Sequence, residues 1–343
     1  GMAIDPIHVG TGGARLGRVD LSIVRDPVTR VPKIPGSSLA GVYRSYVAMH
    51  LQDQNPNRQV NNQPKPYFPD CAGLGQPDNQ RKGSHCSQPD CPVCVTFGFA
   101  RGQGGGFAGL AAFSDAHVLL FPVPTREGPL WVTSPEQLRI ARIKDDLNGI
   151  TENALYCEQE NAQPINLGWL LLERKGLRSY SGIKQKLRSL GVSSYITDRF
   201  GVLPDKLFSH VVNSNLEVRT SVAIDPATGA AEDGKLFSYE SLPRSTILVW
   251  TITCRNPGHF KVGGKDIKIN RASSDSPDQV WEVTKKAHPF LEHLGIGGMG
   301  TRGMGRLKVL EPPNTSAGTA GSGAEPTADL AGTVSTSGEG GAQ

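Results

Sequence analysis

The sequence predicts an α+β fold, and three observations carry that expectation. Strand-like runs are interspersed with single helices instead of alternating with them in regular βαβ units. Long polar stretches separate the periodic segments, which argues against a regular doubly wound sheet. Gly (41) and Pro (25) together make up about 19% of the 343 residues, against roughly 12% in average usage, so turns and close backbone approaches should be frequent.

The segments are justified in chain order. Residues 34–51, IPGSSLAGVYRSYVAMHL, place Leu39, Val42, Tyr43, Tyr46 and Val47 on one helix face at i, i+3, i+4, i+7 and i+8. Ser37 or Ser38 is the expected N-cap, with Gly36 ahead of it. Arg44 falls on another face, free to meet solvent or a ligand, and the amides of such a helix start can hold a phosphate. Residues 52–84 are rich in Pro, Asn and Gln and read as an irregular insertion. Residues 109–123 read as strand with a turn-like Ser114-Asp115, and residues 181–190 and 205–213 as short helices. Residues 216–224 and 247–254 alternate as strands. A turn-rich stretch lies between them, so a long hairpin or extended arm is expected. Residues 278–294 carry Val280, Val283, Ala287, Leu291 and Leu294 in helical spacing, interrupted by Pro289, and a strand-like RLKVL follows at 306–310. The stretch Gly102–Gly106 is expected to be a mobile loop. Residues 313–343 are low-complexity Gly, Ala, Ser and Thr and are expected to be disordered, because they cannot bury enough apolar area to offset ordering.

Composition narrows the function classes. The chain is 37% hydrophobic and 20% charged, as a globular protein is, and long enough for a sizeable core. No run approaches the ~18 apolar residues of a membrane-spanning helix. No charged n-region with an apolar h-region opens the chain, and Gly1 ahead of Met2 reads as a cloning remnant. A membrane protein, a coiled coil, a small disulfide scaffold and a secreted protein are all disfavoured, and a cytoplasmic location is expected. The net charge is +4, and the tail from Pro313 contributes three acids and no Lys or Arg. The body is therefore mildly basic, which permits a polyanionic partner without requiring one.

Four of the six cysteines, Cys71, Cys86, Cys91 and Cys94, fall within 24 residues, with 14, 4 and 2 residues between them. Thiolates suit zinc, and the short Cys91-x-x-Cys94 pair lets two sulfurs reach one ion. A structural zinc held by these four thiols is the expectation, with His85 as an alternative ligand and reduced free thiols as the competing reading. Cys157 and Cys254 stand alone and read as core residues. Gly295–Gly305 holds six glycines in eleven residues. It matches neither the P-loop pattern nor the dinucleotide fingerprint, since a helix precedes it and a strand follows. A flexible connector and an anion-binding loop both fit it.

Several segments together resemble a known family. The stretch 7–46, IHVGTGGARLGRVDLSIVRDPVTRVPKIPGSSLAGVYRSY, resembles the N-terminal signature of the RAMP superfamily of CRISPR effector proteins, and 295–309, GIGGMGTRGMGRLKV, its glycine-rich loop and final strand. The runs 113–138, FSDAHVLLFPVPTREGPLWVTSPEQL, and 219–243, RTSVAIDPATGAAEDGKLFSYESLP, resemble the repeated backbone subunits of type III-B, or Cmr, complexes. The resemblance implies a ferredoxin-like, RRM-related core over 1–312, with a Cys-rich insertion at about 52–97 and a β-hairpin thumb at about 216–245. It implies CRISPR RNA, target RNA, other copies of the chain and other Cmr-complex subunits as partners in antiviral defence.

It further implies cleavage of guide-paired target RNA at regular intervals, by 2′-OH attack and with Mg²⁺ or Mn²⁺. Asp20, in Gly17-Arg18-Val19-Asp20, matches the key acidic residue, and His8 matches a histidine of the same loop region. Glu240 and Tyr239, at the end of the thumb, are further candidates near the scissile phosphate. Arg44, Ser37, Ser38, Gly297, Gly298, Arg302, Gly303 and Gly305 are the expected contacts to RNA. Only Met2 to Pro6 precede the Ile7-His8 motif, so a short first strand is expected. Asp26-Pro27 reads as a turn. Two other readings stay open: an RNA-binding scaffold with no cleavage of its own, and a zinc-dependent hydrolase. The latter lacks a His-Glu-x-x-His pattern and an open metal position.

Overall fold

The computed structural model describes residues 1–12, 19–73, 85–100, 105–145, 147, 149–150, 153–269 and 276–311. The expectations for the tail, for Gly17-Arg18 and for residues 102–104 lie outside the described residues.

A ten-stranded mixed sheet organises the chain. Its order runs Leu307–Lys308, Met2–Ala3, Ile247–Val249, Ala116–Thr125, Gly128–Thr133, Phe200–Val202, Ala154–Cys157, Leu170–Gly176, Asn161–Leu167, and Lys33–Ile34 pairs on the side with Ala116–Thr125. Neighbours among the first four of these strands are antiparallel. Phe200–Val202 on Gly128–Thr133 and Leu170–Gly176 on Ala154–Cys157 are the parallel pairs. The strand Ala116–Thr125 is buried on both faces because its apolar residues are consecutive. Val118, Phe121 and Val123 join one hydrophobic cluster, and Leu119 and Leu120 join the other. The first cluster takes its helical side chains from Gly36–Gln54, Pro92–Phe97, Asp205–Ser214, Pro277–Lys285 and His288–His293. The second takes them from Tyr180–Ser189 and Ser194–Thr197, with Leu138 of Pro135–Ile140.

The long helix Gly36–Gln54 follows its periodicity. Leu39, Tyr43 and Val47 are buried, and Val42 and Tyr46 pack half-buried beside them. Each large side chain so buried contributes about 1.5–3 kcal/mol. The expected serine N-cap is not what starts the helix. Pro35 holds the capping position, and Ser37 is exposed one residue inside. The cap comes from far along the chain: Asp115 Oδ1 accepts from the Gly36 amide at 2.8 Å and Oδ2 pairs with Lys33 Nζ at 2.7 Å. This negative charge complements the helix dipole. It also occupies the place where the sequence allowed a phosphate.

The turn-like Ser114-Asp115 does separate two strands, Ala111–Phe113 and Ala116–Thr125. The expected helices at 181–190 and 205–213 are Tyr180–Ser189 and Asp205–Ser214. Pro289 falls in the first turn of a second helix, His288–His293, and so divides the 278–294 pattern.

The expected arm is a hairpin with a different second strand. Glu217–Ile224 pairs antiparallel with Ala231–Ser241, the stretch that reads as turn in sequence. The turn itself is Asp225–Gly229. Asp225 accepts from the Ala227 amide and the Thr228 hydroxyl, both at 2.9 Å, and Gly229 has φ +67°. Residues 247–254 break instead into Ile247–Val249 in the main sheet and Ile252–Cys254 on Ala111–Phe113. Val218, Val222, Ile224 and Leu236 of the hairpin stay exposed, whereas Tyr239, Ser241 and Leu242 at its foot are buried.

Gly36 tests the helix start. A Cβ there would sit 2.5 Å from the Phe113 carbonyl oxygen and 3.0 Å from that of Ser114. Gly36→Ala should lower stability by about 2 kcal/mol through backbone overpacking, read as a lower thermal midpoint. An unchanged midpoint would show that the helix start can retreat without loss.

Candidate functional site

The N-terminal segment doubles back and grips the foot of the hairpin. Residues 9–11 lie antiparallel to 22–24, through Val24 N–H to Val9 O at 2.9 Å and Thr11 N–H to Ser22 O at 3.1 Å. Ile7 and Leu242 exchange both amide bonds at 2.9 Å. On the other side Leu21 N–H donates to Ser238 O at 3.1 Å, and Glu240 N–H donates to Leu21 O at 3.0 Å. Asp20, His8, Ser238 and Glu240 are thereby brought together from opposite ends of the chain.

Asp20 is exposed, and its Oδ2 accepts from the Ser238 amide at 2.7 Å and from the Ser238 hydroxyl at 3.0 Å. These two bonds, the amide's first, hold its carboxyl below the usual carboxylate range. His8 is 6% exposed. Its Nδ1 lies 2.6 Å from the Glu240 carbonyl oxygen, and a carbonyl only accepts, so Nδ1 carries a proton. The ring meets Tyr239 edge-on at 6.0 Å. Glu240 is not the free carboxylate expected of a catalytic group. Its Oε2 accepts from Arg25 Nη2 at 2.7 Å and from the Ile23 amide at 3.4 Å. Arg25 also holds Asn213 Oδ1 at 2.8 Å and Ile23 O at 3.1 Å. Asp26 forms the expected turn, accepting from the amides of Val28 and Thr29.

The glycine-rich segment is packed against this foot. Gly297, at φ +91°, lies so close to His8 that a Cβ would come 2.3 Å from its carbonyl oxygen. The amides proposed for anion binding are mostly engaged within the chain. Gly298 donates to His8 O at 2.9 Å, Gly305 to Pro6 O at 2.9 Å and Gly303 to Gly300 O at 3.2 Å. Their glycines serve close approach more than phosphate cradling. Arg302 is exposed, with its guanidinium 5.5 Å from the centre of the Phe237 ring.

Arg44 is not free on its helix face. Its Nε donates to Cys71 O at 2.7 Å, and its Nη2 to His85 Nδ1 at 2.9 Å. Ser37 and Ser38 sit in the first turn of the same helix.

The four thiols Cys71, Cys86, Cys91 and Cys94 converge, with all Sγ atoms within 4.8 Å of one another. Cys86 and Cys94 sulfurs are 3.6 Å apart. Tetrahedral thiolate ligands at ~2.3 Å from one ion lie about 3.8 Å apart, so the set fits a metal ion. Burial raises Cys91, while hydrogen bonds from the other three thiols, and then Arg58, hold Cys86 down. A cation taking all four as thiolates resolves that conflict. Arg58 donates to Cys86 Sγ at 3.1 Å and lies 4.1 Å over the Tyr67 ring. His85 is not among the converging ligand atoms, and its ring faces Arg44 instead. Burial and then Arg44 push it down to about 4, so it is neutral. An arginine only donates, so the His85 ring presents a lone pair to Arg44.

The cysteines also belong to the main hydrophobic cluster, together with Leu39, Tyr43 and Val280, and do not form an appendage of their own. Cys157 and Cys254 are half-buried, against the expectation of plain core residues.

Sequence reasoning missed Arg25, Ser238, Asp115 and Arg58. Each gains its partner through tertiary pairing, and no local motif marks it. The Arg25–Glu240 pair is well shielded, with side chains 22% and 14% exposed. Arg25→Ala should cost about 2 kcal/mol by leaving Glu240 unpaired. Glu240→Gln should cost less, because its amide oxygen still accepts. Thermal unfolding with amide exchange over 217–241 checks both, and equal losses would assign the pair no electrostatic role.

Comparison with known proteins places the chain. It is 26% identical over 324 residues to the CRISPR system Cmr endoribonuclease Cmr4 of Pyrococcus furiosus, covering 89% of this chain and 92% of that one. It superposes on a subunit of the type III-B Cmr-beta complex bound to cognate target RNA, with a TM-score of 0.54 and 17% identity over 89% of this chain and 92% of the other. It superposes likewise on oligomeric Cmr4 from Pyrococcus furiosus, with a TM-score of 0.51 and 18% identity over 89% and 93%. These two likenesses concern the fold. The RAMP superfamily model matches residues 2–308, and the chain belongs to that superfamily.

Proposed function

We propose that this chain is the repeated, CRISPR RNA-binding backbone subunit of a type III-B effector, and that it cuts guide-paired target RNA through Asp20. Membership of the superfamily and the similarity to a Cmr endoribonuclease support the class of function. One observation carries the site: Asp20 offers an ionised, exposed carboxylate at the foot of the hairpin, where the neighbouring acid, Glu240, is committed to Arg25.

Asp20 takes the proton of a target 2′-OH as general base. The 2′-oxygen attacks the adjacent phosphorus in line, and the 5′-oxygen leaves with a proton from solvent. The products are a 2′,3′-cyclic phosphate and a 5′-OH. The hairpin acts as the thumb, displacing a base pair so that the sugar-phosphate reaches the in-line geometry. His8 braces the foot through Glu240 and takes a positioning part. Arg302 and Ser37, both exposed, contact the guide backbone without reading sequence. Guide pairing supplies specificity, as in other RNA-guided effectors. Mg²⁺ or Mn²⁺ would stabilise charge on the phosphate. Among the described residues the foot offers such an ion one uncommitted carboxylate, too few ligands for a protein-built site.

The core is read as ferredoxin-like. Support comes from the strand–helix–strand–strand–helix–strand order of Met2–Ala3, Gly36–Gln54, Ala116–Thr125, Ile247–Val249, the helix pair Pro277–Lys285 and His288–His293, and Leu307–Lys308, with the last strand beside the first. One domain is assigned to 1–312, with the insertion at about 52–97, the thumb at about 216–245 and the tail at 313–343. The thiol cluster is assigned a structural zinc, since four protein ligands leave no open position. The partners are CRISPR RNA, target RNA, further copies and other Cmr-complex subunits, in the cytoplasm. No described helix is long and apolar enough to cross a membrane.

The test is target-RNA cleavage by the reconstituted complex. Regularly spaced cuts should be lost with Asp20→Ala while assembly stays intact, and an EDTA arm reads the cation requirement. Unchanged cutting by the variant would overturn Asp20, and no cutting by an assembled wild-type complex would make the chain a scaffold.

Zinc has its own test. Cys91→Ser combined with Cys94→Ser should abolish a content of one zinc per chain by elemental analysis. It should also lower the thermal midpoint of the whole chain, because the cysteines share the main core. Zinc retained at the wild-type level would remove the assignment.

A further inference from the structure

We infer that Ser238 is the positioning residue of the cleavage site: it fixes one oxygen of the Asp20 carboxylate from the hairpin and leaves the other for the RNA. The inference rests on the reading that Asp20 carries cleavage.

An exposed aspartate on an irregular segment has several rotamers open to it, and a general base serves only when its oxygen is held within a fraction of an ångström of the proton it takes. Ser238 supplies the restraint three times over. Its amide and hydroxyl both donate to Oδ2, at 2.7 and 3.0 Å. Its hydroxyl oxygen also lies 3.4 Å from the Asp20 amide, which donates to it. The side chain thus faces the carboxylate and the main chain of the same residue, as a capping side chain does. Among the described residues no group outside Asp20 itself donates to Oδ1.

Ser238 is itself fixed. Its carbonyl accepts from Leu21 at 3.1 Å, and it stands opposite Thr220 in the hairpin. Tyr239 beside it is buried, and Phe237 on the other side lies under Arg302. The register of the hairpin therefore sets where the Asp20 carboxylate points. A one-residue slip would turn Ser238 to the other face and present Phe237 or Tyr239 instead. The site requires a small hydroxyl at this position. Alanine keeps the amide bond but loses the hydroxyl's two, and threonine keeps all three.

The experiment uses the reconstituted complex with guide and target RNA, carrying wild type, Ser238→Ala, Ser238→Thr, Asp20→Ala or the Asp20→Ala/Ser238→Ala pair. Single-turnover rates at saturating complex are measured beside the Kd for target RNA. Ser238→Ala should cut roughly tenfold more slowly at an unchanged Kd and at the same positions. Ser238→Thr should restore most of the rate. Adding Ser238→Ala to Asp20→Ala should lower the residual rate no further, because the serine acts through the aspartate. A wild-type rate for Ser238→Ala beside an inactive Asp20→Ala overturns the inference alone. So does a rate loss matched by weaker RNA binding, or a further loss in the double variant. Full cutting by Asp20→Ala overturns the cleavage reading, and the inference falls with it.

Discussion

The main-chain pairing of the N-terminal segment with the foot of the hairpin is the constraint on which the site depends. Ile7 and Leu242 exchange two amide bonds on one side, and Leu21 bridges Ser238 and Glu240 on the other. These bonds join stretches more than two hundred residues apart, as the separation of 218 between Asp20 and Ser238 shows. Closing so long a loop costs chain entropy before the pairing returns anything. Once made, it decides the orientation of His8, Asp20 and Glu240 together. No single one of these side chains can be understood from its own neighbours in sequence.

The glycine-rich segment follows from the same constraint. It passes beneath the His8 backbone at a distance that excludes a Cβ at Gly297. At its base Gly295 and Gly305 approach so closely that a Cβ on Gly295 would come 2.4 Å from the Gly305 carbonyl carbon. Side chains there would push the N-terminal segment away from the hairpin foot. The thiol cluster answers a different need, because a polar, Pro-rich stretch has little apolar surface with which to hold itself down. Four sulfurs packed against the long helix, with Arg44 and Arg58 beside them, tie that stretch into the main core.

What the sequence made legible depended on how local the signal was. The long helix was visible because its apolar spacing is written within one stretch, yet its cap was not, since Asp115 lies 79 residues from Gly36. The thiol cluster was visible from spacing, but the pairing of His85 with Arg44 was not. The second hairpin strand was hidden because AEDGKLFSYES faces solvent along much of its length and lacks the alternation of a half-buried strand. Asp20 stood out only through family resemblance, since an aspartate in a turn has many ordinary uses. Ser238 gave no signal at all, because a serine's role there is decided by register. The large sheet was foreseen as a class but not in its order, which is fixed by contacts between distant strands.

The hairpin's outward side chains carry a consequence for how the chain is handled in a cell. Val218, Val222, Ile224 and Leu236 face water on an arm with little support above its foot. Such a surface is a poor solute, and beyond the foot, where Leu21 pairs with Ser238 and Glu240, the described strands of the hairpin pair only with each other and could add an extended peptide. A solitary copy is therefore in competition between correct burial of the arm and promiscuous sticking. The arm is thus the stretch where a shortage of cover would first show, as aggregation and not as unfolding of the sheet below.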